Sequence, residues 1–266
     1  MHAITIGQYY QASSVLHRLD PRVKLMGTLA FIIILFFADS FYAYALAAGF
    51  LFAMIGLSTV PVGMILRGMR AVLMLLLITV LFNLFLTPGE EVFRFSVLKI
   101  TKEGIDMAVM MAMRLFMLVA ASSVLTLTTT PQKLTDAIEH VMKPLKLFRV
   151  PVHAIAMMMS IALRFIPILM EETDKIQKAQ MARGADFESK SIIQRVKSMV
   201  PILVPLFISA FRRANDLAMA MEARCYHGGE GRTRMKPLIY QRRDRIAYGV
   251  LAAFFCLCLS LRLLKF

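Results

Sequence analysis

Five long apolar runs leave this chain little choice of fold: Leu25–Ala38, Phe41–Leu57, Ala71–Leu86, Ile105–Leu127 and, at the far end, Ile246–Leu264. In lipid, backbone N–H and C=O groups must bond within the protein, so such runs read as membrane-spanning helices. Leu25–Ala38 and Phe41–Leu57 fall short of the roughly 20 residues that cross a bilayer unaided, and must recruit flanking residues or sit in a thin patch. Ala45 and Gly49 lie four apart and offer a small-residue stripe for close helix contact. Hydrophobic residues make up 58% of the chain and mean hydropathy is +0.66, well above a soluble domain. The expected fold class is all-α: a polytopic membrane protein with short transmembrane helices plus long cytoplasmic amphipathic coupling helices.

The charge is arranged to match. A net charge of +14 on a soluble chain would suggest nucleic acid, but membrane proteins concentrate Lys and Arg in cytoplasmic loops, so no nucleic-acid partner is expected. His17, Arg18, Arg22 and Lys24 precede the first run and predict a cytoplasmic N-terminus with no secretory signal peptide. The basic segment Pro61–Arg70 reads as a cytoplasmic loop, and the mixed charges of residues 90–104 as an outer loop with a short helix or hairpin. Arg114, inside the fourth run, is expected to face a partner helix or snorkel. Residues 131–245 hold 20 of the 31 Lys and Arg. Within them Val150–Met170 is apolar, yet an outward crossing there would strand the basic segment that follows, with only a run interrupted by Pro201 and Pro205 to return. It reads as interfacial or re-entrant. The expected domains are therefore a membrane domain, 1–130, a cytoplasmic coupling domain, 131–245, and a final span, 246–266.

Catalytic motifs are missing. There is no G-x-x-x-x-G-K-[ST], no H-E-x-x-H and no G-x-S-x-G, and the three cysteines, Cys225, Cys256 and Cys258, fit neither a disulfide nor a metal site. The spans carry almost no carboxylate apart from Asp106, so an ion-coupling site of the chain's own is not expected either. A non-enzymatic membrane protein with a large basic platform implies a separate motor subunit.

Two short marks lie on that platform. Ala182-Arg183-Gly184 ends one long helical pattern, whose polar side carries Glu171, Glu172, Asp174, Lys175 and Lys178, and Ala223-Arg224-Cys225 ends the next. One such end is an ordinary helix stop, a cation on the dipole followed by glycine. Two, 41 residues apart, suit paired grooves on a dimeric ATPase, and the rigid guanidinium fork suits carboxylates and carbonyls there.

The runs Leu16–Arg22 (LHRLDPR), Arg164–Pro167 (RFIP), Ala179–Phe187 (AQMARGADF), Val204–Asp216 (VPLFISAFRRAND) and Ala220–Tyr226 (AMEARCY) resemble the transmembrane T component of energy-coupling factor (ECF) transporters. The resemblance covers essentially the whole chain. It implies a coupling subunit joining two ABC-type ATPase subunits to a small substrate-binding membrane subunit, with ATP and Mg on partner subunits and no cofactor in this chain. It assigns ATPase docking to Ala182, Arg183, Gly184, Ala223, Arg224 and Cys225, in the plasma membrane of a cell taking up a vitamin. Cysteine replaces the family's usual glycine at 225. A left-handed cap suits glycine better, so the second helix is expected to run on towards Gly228. The 21 methionines, Met107 to Met117 and Met157 to Met181 among them, suit a surface that accepts several substrate-binding subunits. A dedicated cobalt or nickel T component, a stand-alone secondary carrier or channel, and a scaffold remain as alternatives.

Overall fold

The first helix starts where the sequence dictates. Asp20 caps it, accepting from the Arg22 N–H, and Pro21 takes the first helical position, where its missing N–H costs nothing. The computed structural model describes residues 9–38, 40–95, 98–185, 187, 192–228 and 237–263, with no side-chain description at 71, 91–95, 98–100, 192–196 and 263. The helices are α1 (Pro21–Phe37), α2 (Phe41–Ser58), α3 (Val62–Leu86), α4 (Lys102–Thr128), α5 (Pro131–Val141), α6 (Val152–Ala182), α7 (Ile192–Ala223) and α8 (Arg242–Leu263). A 3-10 turn, Lys143–Phe148, precedes α6. The chain is an all-α polytopic membrane protein, with one small hairpin, β1 (Glu91–Phe95) and β2 (Leu98–Thr101), between α3 and α4. The hairpin is the second of the two forms expected for residues 90–104.

Among the described residues, α2, α4, α6 and α8 are long and apolar enough to cross a membrane, and α3 joins them if Val62–Arg70 and Val72–Leu86, bent by 66°, count as one span. Two expectations change. Pro61–Arg70 is not a loop: Val62 onward is helical, and Ile65 and Met69, four apart, are buried on one face. Val150–Met170, expected to be interfacial or re-entrant, leads into a helix long and apolar enough to cross a membrane. That helix runs unbroken for 31 residues through Pro167, and α7 continues for 32 residues through Pro201 and Pro205. Of the three, only Pro201 and Pro205 were expected to interrupt a helical run. Each removes one backbone hydrogen bond without ending its helix.

The structure divides at 141/142 and 237/238 into Met1–Val141 with Leu238–Phe266, and Met142–Pro237. The core of the first unit lies among α1, α2, α4 and α8, where Leu35, Tyr44, Ala47 and Ala120 are fully buried. Phe31, Phe50 and Phe254 stack there, the last two with ring centroids 4.3 Å apart. A Cβ on Gly27 would stand 2.9 Å from the Leu251 side chain, so glycine lets α1 and α8 approach closely. Arg114 does face partner helices: its Nε donates to Tyr44 Oη of α2 at 2.9 Å and its Nη2 to the Ala38 carbonyl ending α1 at 3.3 Å. The charge so placed favours the negative end of the α1 dipole.

The LHRLDPR run builds a buried latch in the same unit. Asp244 is 2% exposed, and its Oδ1 accepts from the Asp20 N–H at 2.9 Å while its Oδ2 accepts from the Gln241 N–H at 2.8 Å. The second bond is half of a capping box that starts α8. Arg22, buried, pairs with Asp20 at 3.2 Å, donates to the Leu238 carbonyl and lies 4.4 Å above the Tyr240 ring. These contacts fix the starts of α1 and α8 side by side.

Candidate docking site

Both arginine marks sit in the same backbone motif. At the end of α6 the Gly184 N–H donates to Met181 O at 2.9 Å and the Ala185 N–H to Gln180 O at 3.0 Å, with Gly184 at φ 87°. At the end of α7 the Cys225 N–H donates to Glu222 O at 2.8 Å and the Tyr226 N–H to Met221 O at 3.0 Å, with Cys225 at φ 54°. Each set is a Schellman motif, in which a left-handed residue turns the chain back and bonds the last carbonyls. Cysteine therefore does occupy the left-handed cap, and α7 stops at Ala223 rather than running on towards Gly228. Two backbone hydrogen bonds offset a strain of about 1–2 kcal/mol for a side-chain-bearing residue there.

Ala182, Arg183, Gly184, Ala223, Arg224 and Cys225 are all exposed. The motif turns the backbone sharply just past each arginine, which leaves both guanidiniums at a helix tip. Neither is in a salt bridge or side-chain hydrogen bond among the described residues. Both were legible in the sequence.

What sequence reasoning missed is the clasp behind them. Glu172 of α6 accepts from Ser209 Oγ at 2.5 Å and from Arg213 Nη2 at 2.8 Å, both on α7. Glu172 lies eleven residues before Arg183, and Arg213 eleven before Arg224. At 1.5 Å per residue, each tip stands roughly 16 Å along its helix from the clasp. Apolar packing continues beside it, where Ile161, Phe165 and Leu169 face Ala214, Leu217 and Met221 across a groove of about 270 Å³. The two helices thus form one pinned pair with matched arms. Glu172 was legible as a residue of the helix's polar side, but its partner 41 positions away carried no local signal.

The pair also presents apolar surface. Leu203, Val204, Phe207, Ile208 and Phe211 are exposed on α7 at helical spacing, and Met158, Met159 and Met181 on α6. A contiguous exposed apolar stripe meets either lipid or another protein.

Residues 12–235 match the family described as CbiQ, cobalt transport protein. Over nearly its full length the chain is similar to proteins named energy-coupling factor transporter transmembrane protein. The one from Thermosediminibacter oceani is 53% identical over 95% of this chain and 96% of its own. That of Clostridium kluyveri is 52% identical over 97% and 96%, and that of Bacillus subtilis 45% identical over 92% of each.

Proposed function

The chain belongs to the family of ECF transporter transmembrane proteins, and from that premise we propose that it is the non-catalytic coupling subunit, passing ATP-driven motion from two ABC-type ATPase subunits to a small substrate-binding membrane subunit. The observation that carries this reading is the geometric equivalence of the two tips, each an exposed arginine on a Schellman turn at equal distance from one clasp. A homologous ATPase pair offers two similar grooves, and two similar arginines answer them. In each groove the guanidinium would bind carboxylate and main-chain carbonyls while its stem packs. ATP and Mg belong to those partners.

Rigid pinning matters for the work done. If the ATPases move together and apart, a loose pair of helices would absorb the motion by bending. A pair held by Glu172, Ser209 and Arg213 transmits it instead. The α6–α7 region then lies on the cytoplasmic side of the plasma membrane, and the exposed apolar and methionine-rich surface suits a membrane-embedded substrate subunit, or several in turn. The resemblance to ECF transporters supports vitamin or other micronutrient uptake as the transport so driven. The family description names cobalt, which favours a dedicated metal transporter as the second reading; uptake of labelled cobalt against labelled vitamins in the reconstituted complex separates the two.

Co-expression with two ABC-type ATPase subunits tests the proposal. The wild-type chain should co-purify with both, and Arg183→Glu with Arg224→Glu should abolish coupled uptake. Loss of a charge-assisted contact of this kind costs about 2–5 kcal/mol. Full uptake in the double variant would exclude docking through these tips.

A further inference from the structure

The first unit contains a cavity of about 380 Å³ among α1, α2, α4 and α8, within the roughly 300–1,000 Å³ of small-molecule sites. Its wall is apolar, with Val23, Phe31, Leu51, Val124 and Leu251 prominent, and Lys24, Thr128 and Arg243 also line it. These three belong to one end of the bundle. Lys24 is in the first turn of α1, Thr128 ends α4 and Arg243 is in the first turn of α8. Lys24 Nζ donates to the Thr128 carbonyl at 2.9 Å, and the latch through Asp20 and Asp244 holds the starts of α1 and α8 together.

The electrostatics of that end are unbalanced. Lys133 stands close enough to Lys24 for their charges to repel. The neighbouring acids are already engaged: Asp20 with Arg22, Asp244 with two main-chain N–H groups. Arg243 Nε is buried, with no hydrogen-bond partner among the described residues. A buried donor left unpaired is unfavourable, so this nitrogen calls for an acceptor that the described residues do not supply. An apolar cavity with cations at one end fits an amphiphile with an anionic head, and basic pockets between transmembrane helices hold such headgroups.

We propose that this cavity is a binding site for an anionic phospholipid, its acyl chain among α1, α2, α4 and α8 and its phosphodiester between Lys24 and Arg243. The lipid would act as a further tie between the ends of α1, α4 and α8, and the site stands whether or not the helix tips dock ATPases.

Native mass spectrometry of the full chain in neutral detergent tests it, with equimolar phosphatidylglycerol and phosphatidylcholine of identical acyl chains. One phosphatidylglycerol per chain should be retained with a preference of about fivefold or more, as expected of at least one basic contact to the headgroup. Lys24→Gln and Arg243→Gln should each lower that preference, and together bring it close to one. Inorganic phosphate alone should not raise the thermal midpoint as phosphatidylglycerol does. Equal retention of the two lipids by the wild-type chain would overturn the proposal, and this arm needs no variant to fold. So would an undiminished preference in the folded double variant, or full stabilisation by phosphate alone.

Discussion

Cys225 and Gly184 occupy equivalent positions, and only one of them is suited to it by its backbone. At φ 54° the cysteine carries a steric cost that glycine does not. Cys225→Gly should therefore raise the unfolding free energy by about 0.5–1 kcal/mol and leave uptake intact, and Cys225→Val should lower it; denaturant midpoints in detergent read both. Asp244 carries more weight. Removing its carboxylate strands the buried Asp20 N–H and frees the part-buried Gln241 N–H, so Asp244→Ala should cost about 1–3 kcal/mol and Asp244→Asn, which keeps one acceptor oxygen, less. His17 supplies a pH dependence. Burial holds its pKa below the ordinary histidine value even though its bond to the Tyr10 carbonyl pulls the other way. The folded state thus binds the proton more weakly than the unfolded one. Its stabilisation is present above the unfolded value of about 6.5 and is lost as pH falls through the folded value. Protection factors in residues 9–20, with the intrinsic pH dependence of amide exchange divided out, should fall between pH 7.5 and 5.5, and a His17→Asn variant should lose that dependence.

At the level of elements, the pinned pair α6–α7 is the feature on which the proposed coupling depends. The Glu172–Arg213 pair is partly exposed, at 24% and 39% of the side chains, so solvent screening keeps its contribution to stability small. A double-mutant cycle with Glu172→Gln and Arg213→Gln should recover a correspondingly small coupling energy. Its effect on uptake should exceed its effect on stability, because it loosens an arm rather than a core. How much of this was legible differs by element. The apolar runs located the spans to within a few residues at α2, α4 and α8, since lipid demands continuous hydrophobic helix. The two arginine ends were legible from local chemistry, a cation followed by a small residue. Helix continuity through Pro201 and Pro205 was not: both lie inside α7, and packing between helices overrode local propensity. The Asp20–Asp244 latch joins positions 224 apart, and the Arg114–Tyr44 bond positions 70 apart. Such partners leave no trace in a local pattern.

For the whole molecule, α1 to α5, α8 and the buried latch form one unit, and the helix pair α6–α7 carrying the two tips forms another. Under the proposed function a partner ATPase grips the second unit, with Arg183 and Arg224 as the points of grip. Photo-cross-linking from each of these two positions, in membranes containing the assembled transporter, tests it most directly. The expected result is an adduct between each position and an ATPase subunit, formed in similar yield at both and lost when the ATPases are omitted. Labelling of either position by a membrane-impermeant reagent from outside intact cells, or adducts that never include a nucleotide-hydrolysing subunit, would contradict it.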